Sequence, residues 1–226
     1  MSTFLELCQD FREEAGITGS GPVSVIGQTG EMKRVVNWIL KAYKDIQNKH
    51  RNWDFLRENF SFETIASTST YLPTAVSLDE LATWKQDTFR IYRTATGVAD
   101  EQWLRCWRWD ELRDAYLIGP SRSQTGRPTE FAIKPDKSVV FWPAPDAVYT
   151  VTGEYFQRAQ TMTANADEPL LPEQFHDIIK WRAMMYYGAY EGAAEVYANG
   201  KSEYARMMFE MRLDQLPGIT LGGALA

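Results

Sequence analysis

Between Gly126 and Gly192 the apolar pattern changes period, which restricts the chain to folds that combine paired strands with packed helices. Over residues 126–162, GRPTEFAIKPDKSVVFWPAPDAVYTVTGEYFQRAQTM, the prolines Pro128, Pro135, Pro143 and Pro145 punctuate three short runs rich in Val, Thr, Phe and Tyr. Turns at Asp136-Lys137 and Pro145-Asp146 fit strands paired through hairpins. Over residues 171–192, LPEQFHDIIKWRAMMYYGAYEG, Pro172 occupies a favoured first-turn position. Phe175, Ile178, Ile179, Met185, Tyr186 and Ala189 then follow helical spacing.

Helices are expected on both sides of the strands. Ser2 or Thr3 can cap a helix over residues 4–15, with Phe4, Leu7, Cys8 and Phe11 on one side and Gly16 at its end. Met32, Val35, Val36, Ile39, Leu40, Tyr43 and Ile46 form the stripe of a second helix over 31–50. Its acidic start at Glu31 and basic end at Lys49, His50 and Arg51 suit the macrodipole. After Gly192 a further helix is expected, with a bend at Asn199-Gly200, running on from Ser202 to Leu216 with Tyr204, Met207, Met208 and Met211 on one stripe.

Between these helices the chain reads as short strands: FSFET, FRIYR and EQWLRCW, then the three runs above. A short helix over 109–116 interrupts them, and STSTYLPTAVSLDELATW reads as irregular. The fold class is therefore α+β, a helical bundle lobe with an inserted antiparallel β-lobe of five or six strands. The expected divisions are an N-terminal helical segment 1–58, a β-lobe 59–160, C-terminal helices 161–216 and an extended tail 217–226.

Composition narrows function by exclusion. A chain of 226 residues with net charge −6 lacks the clustered Lys and Arg that phosphate binding requires, so no specific DNA binding is expected. Two cysteines without metal-ligand spacing, and two histidines far apart, support neither a metal site nor a histidine triad. Both histidines are expected at helix ends or surfaces. Apolar runs fall well short of a membrane span, and no signal peptide is expected.

The glycine-rich GITGSGPVSVIGQTG invites a phosphate-loop reading, but Gly30 is followed by Glu31 and Met32 where that motif needs Lys and Ser or Thr. No cofactor and no catalytic residue are therefore assigned. The eight tryptophans suit a protein with more than one surface to bury. Met184, Met185, Met207, Met208 and Met211 are read first as core filling and second as a partner groove. The closing PGITLGGALA has no charged side chain, so Ile219, Leu221 and Leu225 can enter another protein's cleft without desolvating one. Arg122 and Arg127 flank SQTG and are candidates for a subunit interface or channel.

The segments FLELCQDFREEAGITGSGPVSVIGQTGE, NWDFLRENFSF, GRPTEFAIKPD, FWPAPDAVYTVTGEYF, LPEQFHDIIKWRAMMYYGAYE and RLDQLPG together resemble the adaptor, or head-to-tail connector, proteins of tailed bacteriophages. That resemblance spans essentially the whole chain. It implies a homo-oligomeric ring, a dodecamer, beneath the portal protein, in the neck of a virion assembled in the host cytoplasm. It implies a helical lobe near the portal and a β-lobe facing the next tail component, a nozzle or a tail tube or stopper, with DNA passing through. Carried onto this sequence, it places Pro217, Gly218, Ile219, Leu221 and Leu225 in a portal-docking tail, with Met207, Met208 and Met211 anchoring its helix. The alternatives are a virion-associated cell-wall glycosidase and a glycan-binding module. The glycosidase would draw on acidic pairs such as Asp110-Glu111 beside Trp103, Trp107 and Trp109, the module on exposed tryptophans.

Overall fold

The computed structural model describes residues 2–217. The chain forms two compact units, one of Arg57–Arg158 and one of the flanking segments Met1–Leu56 and Ala159–Ala226 together. Its helices are α1 (Phe4–Glu14), α2 (Gly30–Asn48), α3 (Trp109–Tyr116), α4 (Asp177–Glu191) and α5 (Ala194–Gln215). The α+β class expected from the change of period is the class observed.

In the helical unit α1, α2 and α5 all pack on one another or on α4. The apolar stripes read from the sequence are its interior: Leu7, Cys8, Phe11, Val35, Ile39, Ile46, Ile178, Ile179, Ala183 and Met211 are fully buried. Thr3 is the residue that caps α1. Its hydroxyl accepts from Glu6 N at 3.3 Å while the Glu6 carboxylate accepts from Thr3 N at 2.8 Å, a reciprocal capping box. Phe4 N and Leu5 N, which have no intrahelical acceptor, donate to Asp167 O and Asn165 O. The polar stretch after the strands is thus an ordered clamp. Asn165 Oδ1 also accepts from Val25 N at 2.7 Å, which fastens the glycine-rich loop.

Two departures from expectation have simple causes. α5 runs unbroken through Asn199-Gly200, because Gly200 serves close packing on α4. A Cβ there would meet Met184 Cβ and Trp181 O at 3.1 Å, and one at Gly188 of α4 would meet Tyr197 N at 2.7 Å. His176 does stand at a helix end, the start of α4, yet it is buried, with Nδ1 accepting from Ser2 N and Nε2 2.9 Å from Leu171 O.

The other unit is built from β1 (Arg57–Glu63), β2 (Thr70–Tyr71), β3 (Leu81–Arg93), β4 (Gln102–Trp103), β5 (Arg105–Trp107), β6 (Thr125–Gly126), β7 (Glu130–Ile133), β8 (Val139–Trp142), β9 (Ala144–Pro145) and β10 (Tyr149–Gln157). One sheet has the order β1-β10-β3-β4 and the other β2-β8-β7-β5, with β6 and β9 forming a separate pair. The sheets face each other across an aromatic core in which Phe89 of the first stacks on Phe131 of the second at 4.3 Å. The outer side of the second sheet is covered by α3, where Leu112 packs on Ala132 and Val140. Burial on both faces explains why VVFW is a continuous apolar run rather than an alternating one.

Most pairing is antiparallel as expected, but β5–β7 and β6–β9 are parallel. β3 begins at Leu81, inside the stretch read as irregular. A bulge against β10, between Thr152 and Glu154, interrupts the two-residue alternation that identifies a strand in sequence. Gly153 sits in that bulge, and a Cβ on it would lie 2.8 Å from the Phe60 ring.

Candidate functional site

The C-terminal helix is where the strongest sequence candidates lie. Tyr204, Met207, Met208 and Met211 turn inward and are buried, so the three methionines fix the helix on the core of its unit. The opposite face carries side chains that the methionine stripe drew attention away from. Phe209 is 63% exposed and Leu213 is 71% exposed, one helical turn apart. Around them Arg206 pairs with Glu203 at 2.9 Å and with Glu210 at 3.1 Å. The stripe leads to Pro217, which is exposed and ends the described residues; Gly218, Ile219, Leu221 and Leu225 lie outside them. A signal was present in the sequence: once Met207, Met208 and Met211 are assigned inward, Phe209 and Leu213 fall on the outer side.

A second exposed apolar group lies at the other end of the helical unit. Tyr190 is 54% exposed, packs on Trp38 at 5.6 Å, and is covered by the Arg34 guanidinium at 4.7 Å. Trp38 in turn meets Tyr187 and Phe11 edge-on. Large amphipathic rings held in this way present area at low entropic cost.

In the strand unit Arg127 is engaged inside its own chain. It donates to Asp100 Oδ1 at 2.7 Å, to Asp100 O at 2.6 Å and to Ile91 O at 3.3 Å, which ties the segment before β7 to the end of β3. The Arg127 guanidinium holds the Asp100 carboxyl below the usual range. Arg122 is exposed and donates from Nε to Leu117 O at 3.0 Å. The two arginines are thus held by different partners.

The side chains considered for glycosidic chemistry are held in structural roles. Asp110 pairs with Arg113 at 3.1 Å and Glu111 with Arg108 at 4.0 Å, both on the surface of α3. Trp107 donates to the Glu130 carboxylate and meets Tyr116 edge-on, and Tyr116 stacks on Trp142 at 3.9 Å. Trp103 is exposed, with the Arg90 guanidinium 4.4 Å over its ring. An open depression of about 450 Å³ crosses the outer face of the first sheet, lined by Asn59, Ser61, Thr88, Arg90, Thr152 and Glu154. Its carboxylate, Glu154, is bound to Lys85 at 2.8 Å and held low in pKa by it. Among the described residues no group of three or more His, Cys, Asp or Glu is placed to hold a metal ion, and no helix is long and apolar enough to cross a membrane.

The outer surface of α5, with its exposed aromatic and aliphatic groups, is of the kind that binds other proteins. The particular family follows from comparison: a family model described as SU10 adaptor protein matches residues 2–221, and the chain belongs to that family. It is a phage adaptor structural protein. No curated protein matches the chain.

Proposed function

We propose that this adaptor binds the phage portal protein through the outer face of α5 and the C-terminal tail, forms a ring there, and offers the strand unit to the next tail component. The observation that carries the reading is the outward Phe209 and Leu213 pair, which runs toward the uncharged segment from Pro217 onward. Exposed apolar side chains on the helix, and a sequence beyond it with no charged side chain, can be buried against a partner without desolvating a charge of their own. Burying a Phe or Leu that is now exposed contributes about 1.5–3 kcal/mol, so two such residues repeated around a ring add up to firm attachment.

The ring itself, of twelve copies by family resemblance, would be closed by one heterologous contact repeated between subunits. An acidic chain, at net charge −6, suits a channel wall that lets DNA pass without retaining it. On this reading the protein acts in the neck of the virion, between head and tail.

The test is cosedimentation with assembled portal. A variant ending at Leu216 is expected to stay folded and to lose most of its portal association. Undiminished association would overturn the role of the tail.

A further inference from the structure

The helical unit holds a group of cations that its described residues do not neutralise. Lys49, just after α2, places its ammonium 3.4 Å from the Tyr204 hydroxyl and 5.1 Å from the ring centroid. Arg182 of α4 lies over the same ring at 5.5 Å. Arg212, in the last turn of α5, is near enough for its charge to act on both Lys49 and His50. Burial lowers the pKa of both Lys49 and His50, and repulsion from Arg212 lowers them further. The carboxylate facing this group is Asp45, which accepts from Arg182 at 3.0 Å and from the Tyr186 hydroxyl.

Three cations share one carboxylate, and Lys41 draws on that carboxylate as well. The C-terminal ends of α2 and α5 each contribute about half a negative charge, so a positive surplus remains. Hydrogen bonding is incomplete as well. Arg182 Nε, Arg212 Nε and His50 Nε2 are enclosed and have no hydrogen-bond partner among the described residues. An enclosed polar atom left without a partner is destabilising. Such an arrangement is stabilised by an anion that brings acceptor oxygens.

We propose that this cluster, formed by Lys49, His50, Arg182 and Arg212, receives a carboxylate side chain from a docking protein segment that is acidic and apolar. The apolar part follows from position: Phe209 lies one turn before Arg212 and Leu213 directly after it, both exposed. The choice of carboxylate over DNA phosphate rests on two observations. The Arg182 side chain is recessed, at 25% exposure, where a phosphate backbone needs a projecting row of cations. Asp45 sits within the cluster and repels a more highly charged anion. The inference is independent of which virion component supplies the segment, so it can fail while tail-dependent portal binding holds, and the reverse.

The experiment uses the full chain with ¹⁵N-labelled arginine side chains, titrated with acetate at fixed ionic strength and compared with chloride. Saturable shifts of the Arg182 and Arg212 Nε–H signals are expected, with acetate binding weakened at least tenfold in Arg212→Gln and in Lys49→Gln. Either variant suffices if the other fails to fold. A short peptide of leucine and glutamate is expected to compete with acetate, and its leucine and glutamine counterpart not to. Acetate responses no larger than those to chloride would overturn the proposal. So would equal binding of the two peptides, or saturation by a DNA duplex where acetate and the acidic peptide fail.

Discussion

Replacing Gly188 by alanine tests whether α4 and α5 owe their close approach to the absence of a side chain. The new Cβ would stand 2.7 Å from Tyr197 N and 3.0 Å from Tyr197 Cα, both backbone atoms of α5. Relief requires α5 to move, which also strains the turn where Ala193 N donates to Gly188 O at 2.9 Å and Tyr197 N to Ala193 O at 3.0 Å. Alanine's better helix propensity returns up to about 1 kcal/mol. Overpacking costs about 1–3 kcal/mol, and a disturbed hydrogen bond about 1 kcal/mol more. The net expectation is a loss of about 1–3 kcal/mol, seen in urea unfolding as a lower midpoint at unchanged slope. Gly200→Ala should cost less, since its nearest contacts are 3.1 Å and include the Met184 side chain. A Gly188→Ala protein as stable as wild type, or less affected than Gly200→Ala, would refute the packing argument.

Phe209→Ser with Leu213→Ser should leave thermal stability nearly unchanged, because both side chains are exposed, while weakening portal cosedimentation; a large fall in melting temperature would place them in the core instead. Burial pushes the Cys8 thiol up to about 12, so a thiol reagent should label exposed Cys106 in the native protein and Cys8 only after denaturation, as peptide mapping would show. His50 has a folded pKa below its ordinary 6.5, so the unfolded chain takes up the proton first. Its contribution to stability is therefore present above about 6.5 and falls as pH drops toward the folded value. Urea midpoints across that range should decline in wild type and decline less in His50→Gln.

The helices were legible because their apolar stripes coincide with the core: Phe4, Leu7, Cys8 and Phe11, or Val35, Ile39 and Ile46, are spaced for one face and occupy one face. The short helix over Trp109–Tyr116 was found at its observed bounds. β3 was only half legible, since the bulge opposite Thr152 and Glu154 breaks the alternation from Trp84 to Phe89. The parallel pairing of β5 with β7 is a long-range choice that no local pattern in RCW or EFAI encodes. Gly200 shows a different limit: Asn-Gly reads as a bend from local preference, and only the position of Met184 reveals a packing role. Among the interaction candidates, the methionines were visible as a stripe, yet their inward direction is fixed by the tertiary structure. Phe209 and Leu213 become conspicuous only once that direction is known. The cationic cluster joins residues 49, 182 and 212, which come together only through helix packing and have no common sequence signal.

The central claim is that this chain docks a portal through α5 and its C-terminus, and electron microscopy of the protein mixed with its portal tests it most directly. The account predicts an added ring of subunits with α5 and the C-terminal residues against the portal and the strand unit directed away from it. Portal particles that remain bare, or a ring attached through the strand unit, would contradict it.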